Sequence, residues 1–185
     1  MLQATKKKDF SSIDLLPRQN VLKNFYKTGS LMSYGALGAN LIADLPSEIE
    51  TKVFHFACNL GLAFQTIDDV IDFTSDFQTL GKEKFQDLQL GIVNSPVLFS
   101  LQRADENSRI GIQKLLKQKS INLSETEEIY SFIQNFGGVQ DATLLAILFI
   151  KDAFRCLQSI SDHYNQEVKF LGLKWLCTKV ITRSH

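Results

Sequence analysis

The sequence predicts an all-α protein. Apolar residues recur at spacings of three and four along most of the 185 residues, which is the period of an amphipathic helix. No convincing run alternates apolar and polar residues as a half-buried strand would, and no internal repeat is evident. Because 44% of the residues are hydrophobic, the chain can bury one substantial core, and we expect a single compact unit.

Apolar spacing places the first helix, and a start signal places the second. The first is predicted over residues 21–42, and the second begins near Ser47, which has capping-box spacing to Glu50, and continues to about Phe73. Small residues along the first helix would let another backbone come close. They are Gly29, Ser33, Gly35, Gly38 and Ala39.

The helical period fades between residues 74 and 95, which predicts a long loop of the kind that is often functional. Pro96 then stands where a helix can begin. Ser124 and Glu127 have capping-box spacing and predict another helix start. Two final helices are predicted after Gly137 and Gly138, over residues 139–161 and 168–181.

Composition excludes several classes of protein. Twenty basic and twenty acidic residues give no net charge, and no basic stripe with interleaved aromatics suggests a nucleic-acid partner. The three cysteines cannot all pair internally, which fits a reducing compartment. The longest apolar run, residues 144–150, is too short to cross a bilayer. The first residues lack the apolar core of a secretory signal and the arginines of a good mitochondrial presequence.

The stretch FQTIDDVID, residues 64–72, concentrates acids on one face of the second helix. At about 100° per residue, Gln65, Asp68, Asp69 and Asp72 fall within about a third of a turn. Three like charges so close repel one another, and a cation would remove that conflict. Carboxylates without histidine or cysteine suit magnesium, which usually completes its shell with water and phosphates. The alternative is that these acids form a solvated helix face.

The segment GLAFQTIDDVIDFTSDFQTLGKEKFQDLQLGIVNSPVLFSL, residues 61–101, resembles the second aspartate-rich region of trans-prenyl diphosphate synthases, particularly the long-chain polyprenyl diphosphate synthases that make quinone side chains. FQxxDDxxD, GK, DLxxGI and SPVLF occur in the family's order. YKTGSLMSYGALGA upstream resembles the family's lysine-threonine helix, and FGGVQDATLLAILFIKDAFRCLQSI and FLGLKWLCTKVITRSH resemble its later helices. Residues 1–20 are unmatched, so residues 21–185 are expected to form the C-terminal part of the synthase domain.

The resemblance implies an isoprenoid-synthase-type helical bundle, truncated to its C-terminal half. It implies a prenyltransferase that condenses an allylic diphosphate with isopentenyl diphosphate, with Mg²⁺ as cofactor. By matching position, Asp68 would be the main metal ligand, supported by Asp69 and Asp72. The other implied catalytic residues would contact the allylic diphosphate or line the reacting centre. They are Lys27, Thr28, Gln65 and Lys82.

Departures from the family leave alternatives open. The sequence contains one DDxxD motif and no adjacent arginine pair, whereas the family carries a first aspartate-rich motif in its N-terminal half. A non-catalytic or regulatory subunit, or an inactive fragment, that pairs with a complete synthase is therefore the alternative function, and a terpene cyclase is a weaker one. Half a bundle would expose apolar faces, so we expect a homo- or hetero-oligomer or an unstable chain. The likeness to quinone side-chain synthases predicts a mitochondrial location and a role in ubiquinone biosynthesis, with the cytoplasm as the alternative.

Overall fold

The secondary structure in the described part of the chain is helical. A computed structural model describes residues 16–74, 85–89, 92–118, 120–165 and 167–183. No strand occurs in those ranges, so the predicted all-α class is confirmed. A π-helix, Phe25–Gly29, joins α1 to α2, and a 3-10 helix, Glu167–Phe170, precedes α9. The α-helices are α1 Leu16–Asn24, α2 Ser30–Ile42, α3 Ser47–Thr74, α4 Gln86–Gln89, α5 Ser95–Arg103, α6 Glu106–Leu116, α7 Leu123–Asn135, α8 Gly138–Tyr164 and α9 Leu171–Thr182.

The chain divides into two compact units, where its length suggested one. The first unit is drawn from Met1–Asn20 and Asp72–Asp141, and the second from Val21–Ile71 and Ala142–His185. Helices α3 and α8 each contribute residues to both units. No helix within the described ranges is long and apolar enough to cross a membrane.

Each unit has its own apolar core. Buried side chains of the first unit include Phe73, Leu101 and Ile133. The second core packs Ile67 of α3 with residues of α8 and α9, among them the free thiol of Cys177. Burial raises the pKa of Cys177 to about 11.

The first helical run starts earlier than predicted and is not α-helical throughout. A helix was expected over residues 21–42, but α1 already begins at Leu16. The π-helix Phe25–Gly29 then precedes α2. A π-helix inserts an extra residue into the helical turn and is frequent at functional sites, and this one contains Lys27 and Thr28.

The start of α7 is close to the prediction but uses a different cap. The Asn122 side chain accepts a hydrogen bond from the Glu125 backbone N–H at 3.0 Å, and the Glu125 carboxylate accepts one from the Asn122 backbone N–H at 2.8 Å. The capping box therefore lies two residues before the predicted pair, Ser124 and Glu127. Both pairs have the spacing of a capping box, and asparagine caps a helix as well as serine does.

Prolines mark the starts of α3 and α5. The Pro46 carbonyl accepts a hydrogen bond from the Glu50 backbone N–H at 3.1 Å, so Ser47 is the first helical residue and not the predicted cap. At α5, Asn94 is the extended N-cap and Pro96 lies in the first turn, as its position predicted.

Backbone contact between the π-helix and α3 depends on two glycines. A Cβ atom on Gly61 would lie 2.8 Å from the Gly29 Cα atom and 3.2 Å from the Met32 sulfur. At Gly35 and Gly38, by contrast, an added Cβ would meet no atom within 4 Å. The predicted close approach therefore occurs at Gly29, whereas Gly35 and Gly38 are not close-packing positions.

We expect Gly61→Ala to lower the free energy of unfolding by about 1–3 kcal/mol, since its methyl group would push two backbones apart. Gly35→Ala is the matched control, because it adds the same methyl group in open space. It should leave stability unchanged or raise it by up to about 1 kcal/mol, the difference in helix propensity. Urea unfolding followed by circular dichroism measures both, and equal effects would contradict the assigned contact.

Candidate functional site

The polar face of α3 is buried at its centre. Gln65 and Asp69 are each 3% exposed, and Asp68 and Asp72 are half-buried. A solvated helix face, the alternative left open by the sequence, is therefore excluded for Gln65 and Asp69. Burying a carboxylate is unfavourable unless it is paired or hydrogen-bonded, so the neighbours of Asp69 matter.

A hydrogen-bonded cluster in the second unit surrounds these two side chains. The Thr28 hydroxyl donates to Gln65 Oε1 at 2.8 Å. Gln65 Nε2 donates to Asp69 Oδ1, and Asn24 Nδ2 donates to Asp69 Oδ2, both over a long 3.5 Å. The cluster thus joins two predicted site residues, Thr28 and Gln65, to the predicted ligand Asp69 through direct contacts.

The glycine contact explains why Thr28 reaches Gln65. Gly61 precedes Gln65 by four residues, so the two lie on the same face of α3. The backbone of Gly29, the neighbour of Thr28, packs directly against the backbone of Gly61. The short separation of the two backbones brings the Thr28 hydroxyl within hydrogen-bond range one helical turn further along α3.

Lys27 and Asn24 differ in exposure. Lys27 is exposed at the π-helix. Its long side chain makes no hydrogen bond to another described residue. Asn24 is 1% exposed, and its Oδ1 atom has no hydrogen-bond partner in the described part of the chain. Asn24 was not predicted, because one asparagine at the end of a helix has no distinctive local pattern.

Asp68 contacts an arginine that is distant from it in the sequence. The Nη2 atom of Arg183, which follows α9, lies 3.5 Å from Asp68 Oδ1. Its guanidinium also lies over the Phe64 ring, 4.2 Å from the ring centroid. Phe64 precedes Asp68 by one turn of α3, so Arg183 contacts two neighbouring positions on one helix. Both partners of the ion pair are more than a third exposed, which makes its contribution to stability small.

In the first unit, Asp72 is held by the segment that follows it. The Asp87 backbone N–H donates to Asp72 Oδ2 at 3.4 Å, and the Phe85 backbone N–H donates to the Asp72 carbonyl at 3.2 Å. Asn94 Nδ2 donates to Asp87 Oδ2 at 3.1 Å. Asp87 therefore connects the end of α3 to the start of α5. The predicted site residue Lys82 lies outside the described residues.

The carboxylates of α3 suit a hard cation that also binds oxygen atoms of a ligand. No group of three or more histidine, cysteine or acidic side chains in the described ranges is placed to hold a metal ion. Asp68 and Asp69 offer carboxylate oxygens on adjacent positions of α3. Magnesium is commonly held by one or two carboxylates together with water and substrate phosphates, so these residues fit that mode of binding.

Comparison with solved structures identifies the class of fold. The apo form of an Arabidopsis medium/long-chain length prenyl pyrophosphate synthase superposes with a TM-score of 0.75 and 27% identity, covering 89% of this chain and 54% of that one. The fold is therefore that of the helical isoprenoid synthases. The model of the polyprenyl synthetase family matches residues 3–133, well over half of the sequence. The chain belongs to the polyprenyl synthetase family.

The chain is also similar to curated solanesyl diphosphate synthases. Solanesyl diphosphate synthase 2, chloroplastic, of Arabidopsis thaliana is 32% identical over 126 residues, which are 68% of this chain and 29% of the relative. Solanesyl diphosphate synthase 3, chloroplastic/mitochondrial, of the same plant is 29% identical over 164 residues, 88% of this chain and 38% of the relative. The chain thus spans well under half the length of these two relatives.

Proposed function

We propose that this chain provides part or all of the active site of a trans-polyprenyl diphosphate synthase. The reaction would break the carbon–oxygen bond of an allylic diphosphate, release pyrophosphate with the electron pair, and join the allylic carbon to the double bond of isopentenyl diphosphate. Loss of a proton then restores a double bond. The observation that carries the proposal is the cluster in which Thr28 of the π-helix donates to Gln65, and Gln65 donates to Asp69, with both acceptor residues buried on the aspartate-rich helix α3.

The chain's own residues would hold and shield the reacting groups. Exposed Lys27 is free to reach a diphosphate oxygen, and Lys82 would add a second positive charge to that diphosphate. Thr28 fixes the orientation of the Gln65 amide by donating to its oxygen. The oriented amide dipole would then lie beside the positive charge that develops on the allylic carbon, where preorganised dipoles are most effective.

Magnesium would be held by the carboxylates of α3. Asp68 is proposed as the principal ligand, with Asp69 and Asp72 as direct or water-mediated support. When bound, the ion would neutralise the charge that grows on the departing pyrophosphate. Asp69 accepts hydrogen bonds from Asn24 and Gln65, which orients its carboxylate before any ligand arrives.

An elongation assay tests the proposal. The purified chain is incubated with magnesium chloride, farnesyl diphosphate and labelled isopentenyl diphosphate, and longer labelled prenyl diphosphates are expected. Asp68→Asn should reduce product by about 100-fold or more, because the amide keeps the shape of the ligand but loses its charge. Asp152→Asn, which removes an exposed carboxylate paired with Arg155, is the matched control and should leave product unchanged. Equal activity of both variants would refute the site.

The alternative is a non-catalytic or regulatory subunit, or an inactive fragment, that pairs with a complete synthase. Exposed apolar side chains on α2 favour a partner, since Leu31, Leu41 and Ile42 are 79%, 65% and 90% exposed. A folded chain that forms no product alone, but alters the product of an added full-length synthase, would favour this alternative. Light scattering would report whether the chain is a homo-oligomer or needs another subunit.

We further propose that the product is a long-chain prenyl diphosphate for a ubiquinone side chain, made in mitochondria. Support comes from the relatives, which are solanesyl diphosphate synthases. One is chloroplastic, and the other is both chloroplastic and mitochondrial. A fluorescent fusion of the native transcript's full reading frame, imaged with a mitochondrial marker, tests the location. Diffuse cytoplasmic signal would contradict it.

A further inference from the structure

The second unit contains a cavity that the proposed reaction does not use. Its volume is about 340 Å³, and it lies among α2, α3, α8 and α9. Asn40 on its wall is ten residues along α2 from Ser30, which is about 15 Å along the helix axis. The apolar part of the wall is formed mainly by Leu45, Ile49, Val53, Phe56, Leu157 and Ile160.

Two polar side chains line this apolar wall. Asn40 is 3% exposed, and neither its Nδ2 nor its Oδ1 atom has a hydrogen-bond partner among the described residues. The Tyr164 hydroxyl is also buried and without a partner there. Buried polar atoms in native proteins are nearly always satisfied, so this donor and this acceptor at one cavity are suited to a molecule that supplies both partners.

Charge and size narrow the class of molecule. No lysine, arginine, aspartate or glutamate is among the described residues that line the cavity, so a charged ligand would be desolvated without compensation. An apolar cavity of about 150 Å³ accommodates one benzene ring, so about 340 Å³ has room for roughly a dozen non-hydrogen atoms. Leu45 and Leu173 are 36% and 38% exposed, which leaves the cavity accessible from solvent.

We propose that this cavity binds a neutral, mainly apolar molecule with a single hydroxyl group. The hydroxyl would accept a hydrogen bond from Asn40 Nδ2 and donate one to Asn40 Oδ1 or to the Tyr164 oxygen. The hydrocarbon part would cover the leucine and isoleucine side chains of the wall. This site is independent of the diphosphate site proposed on α3, because it recognises no charge and needs no metal.

Calorimetric titration of the full chain with n-nonanol, without magnesium, tests the site. Methyl octyl ether is the matched ligand, since it has the same atoms but no hydroxyl donor. We expect the alcohol to bind about ten-fold or more tightly than the ether, because the ether leaves the Asn40 oxygen unsatisfied. Equal affinities, or no binding of either compound, would overturn the proposal.

Four variants locate the binding. Asn40→Leu should remove the preference for the alcohol, and Tyr164→Phe, which deletes one oxygen, should reduce it while leaving the fold intact. Asn59→Leu makes the same change on α3 at a residue that does not line the cavity, and it should bind the alcohol as the parent chain does. Asp68→Asn should also bind normally, which separates this site from the proposed active site. An Asn40→Leu protein that retains full preference for the alcohol would refute the assignment.

Discussion

Gly138→Ala is expected to lower the free energy of unfolding by about 3 kcal/mol or more. Gly138 is the first residue of α8, and in the first unit it packs directly against α5. An added Cβ would fall far inside van der Waals contact of the Pro96 carbonyl oxygen and the Ser100 hydroxyl, and 3.0 Å from the Pro96 carbonyl carbon. Backbone atoms cannot rotate away as a side-chain end can, so the helices must separate.

The same substitution would disturb a buried hydrogen-bond arrangement. The Ser100 hydroxyl donates to the Pro96 carbonyl at 3.0 Å and lies 3.4 Å from the Ile133 carbonyl. The added Cβ would fall on the position of this hydroxyl and displace it from its acceptors inside the core. Each lost buried hydrogen bond adds about 1 kcal/mol to the destabilisation.

Gly111→Ala is the control for Gly138→Ala. Gly111 lies inside α6 of the same unit, and an added Cβ there would meet no atom within 4 Å. We expect it to be neutral or to stabilise by up to about 1 kcal/mol. Thermal and urea unfolding should show a melting temperature lowered by roughly 10 °C for Gly138→Ala alone, at about 2–4 °C per kcal/mol. A small effect at both positions would contradict the close contact between α8 and α5.

Asp68→Ala is expected to abolish the stabilisation of the chain by magnesium and pyrophosphate. A ligand at 100 times its dissociation constant stabilises the folded state by about 2.7 kcal/mol. For the parent chain this corresponds to a rise in melting temperature of several degrees. Without the Asp68 carboxylate, the proposed principal ligand is gone, and pyrophosphate loses the cation that attaches it to α3.

The Arg183 ion pair makes a control necessary. Asp68→Ala also removes the partner of Arg183, so the variant's own melting temperature can shift slightly before ligand is added. Asp152→Ala breaks the exposed pair with Arg155 on α8 and should keep the full response to magnesium and pyrophosphate. Magnesium alone and pyrophosphate alone complete the series. An undiminished rise in Asp68→Ala would refute the metal assignment.

Helices were predicted correctly where consecutive residues carried the signal. Apolar spacing indicated α2, α3 and α8, and Pro96 correctly indicated the start of α5. The π-helix at Phe25–Gly29 was not predicted, because it has the same apolar spacing as the α-helix around it. The cap at Asn122 was not predicted, because Ser124 and Glu127 have the same capping-box spacing two residues later.

The residues around the candidate site also divide into those that the sequence predicted and those that it did not. Gln65 and the three aspartates were identified from their spacing and from a family resemblance. Asn24 and Arg183 were not, since each reaches α3 from a distant part of the sequence. Such contacts depend on how helices cross, and helix crossing leaves no periodic pattern in either segment.

By itself, the sequence determined the all-α class, the family and the helix that carries the acids, because apolar period and motif spacing are properties of consecutive residues. Tertiary structure alone decided that Gln65 and Asp69 are buried, and that Thr28 reaches Gln65. It also left the Asn40 side-chain amide, beside a cavity, without a hydrogen-bond partner among the described residues. The reason is that burial and pairing depend on the packing of one helix against another, which a single helix does not specify.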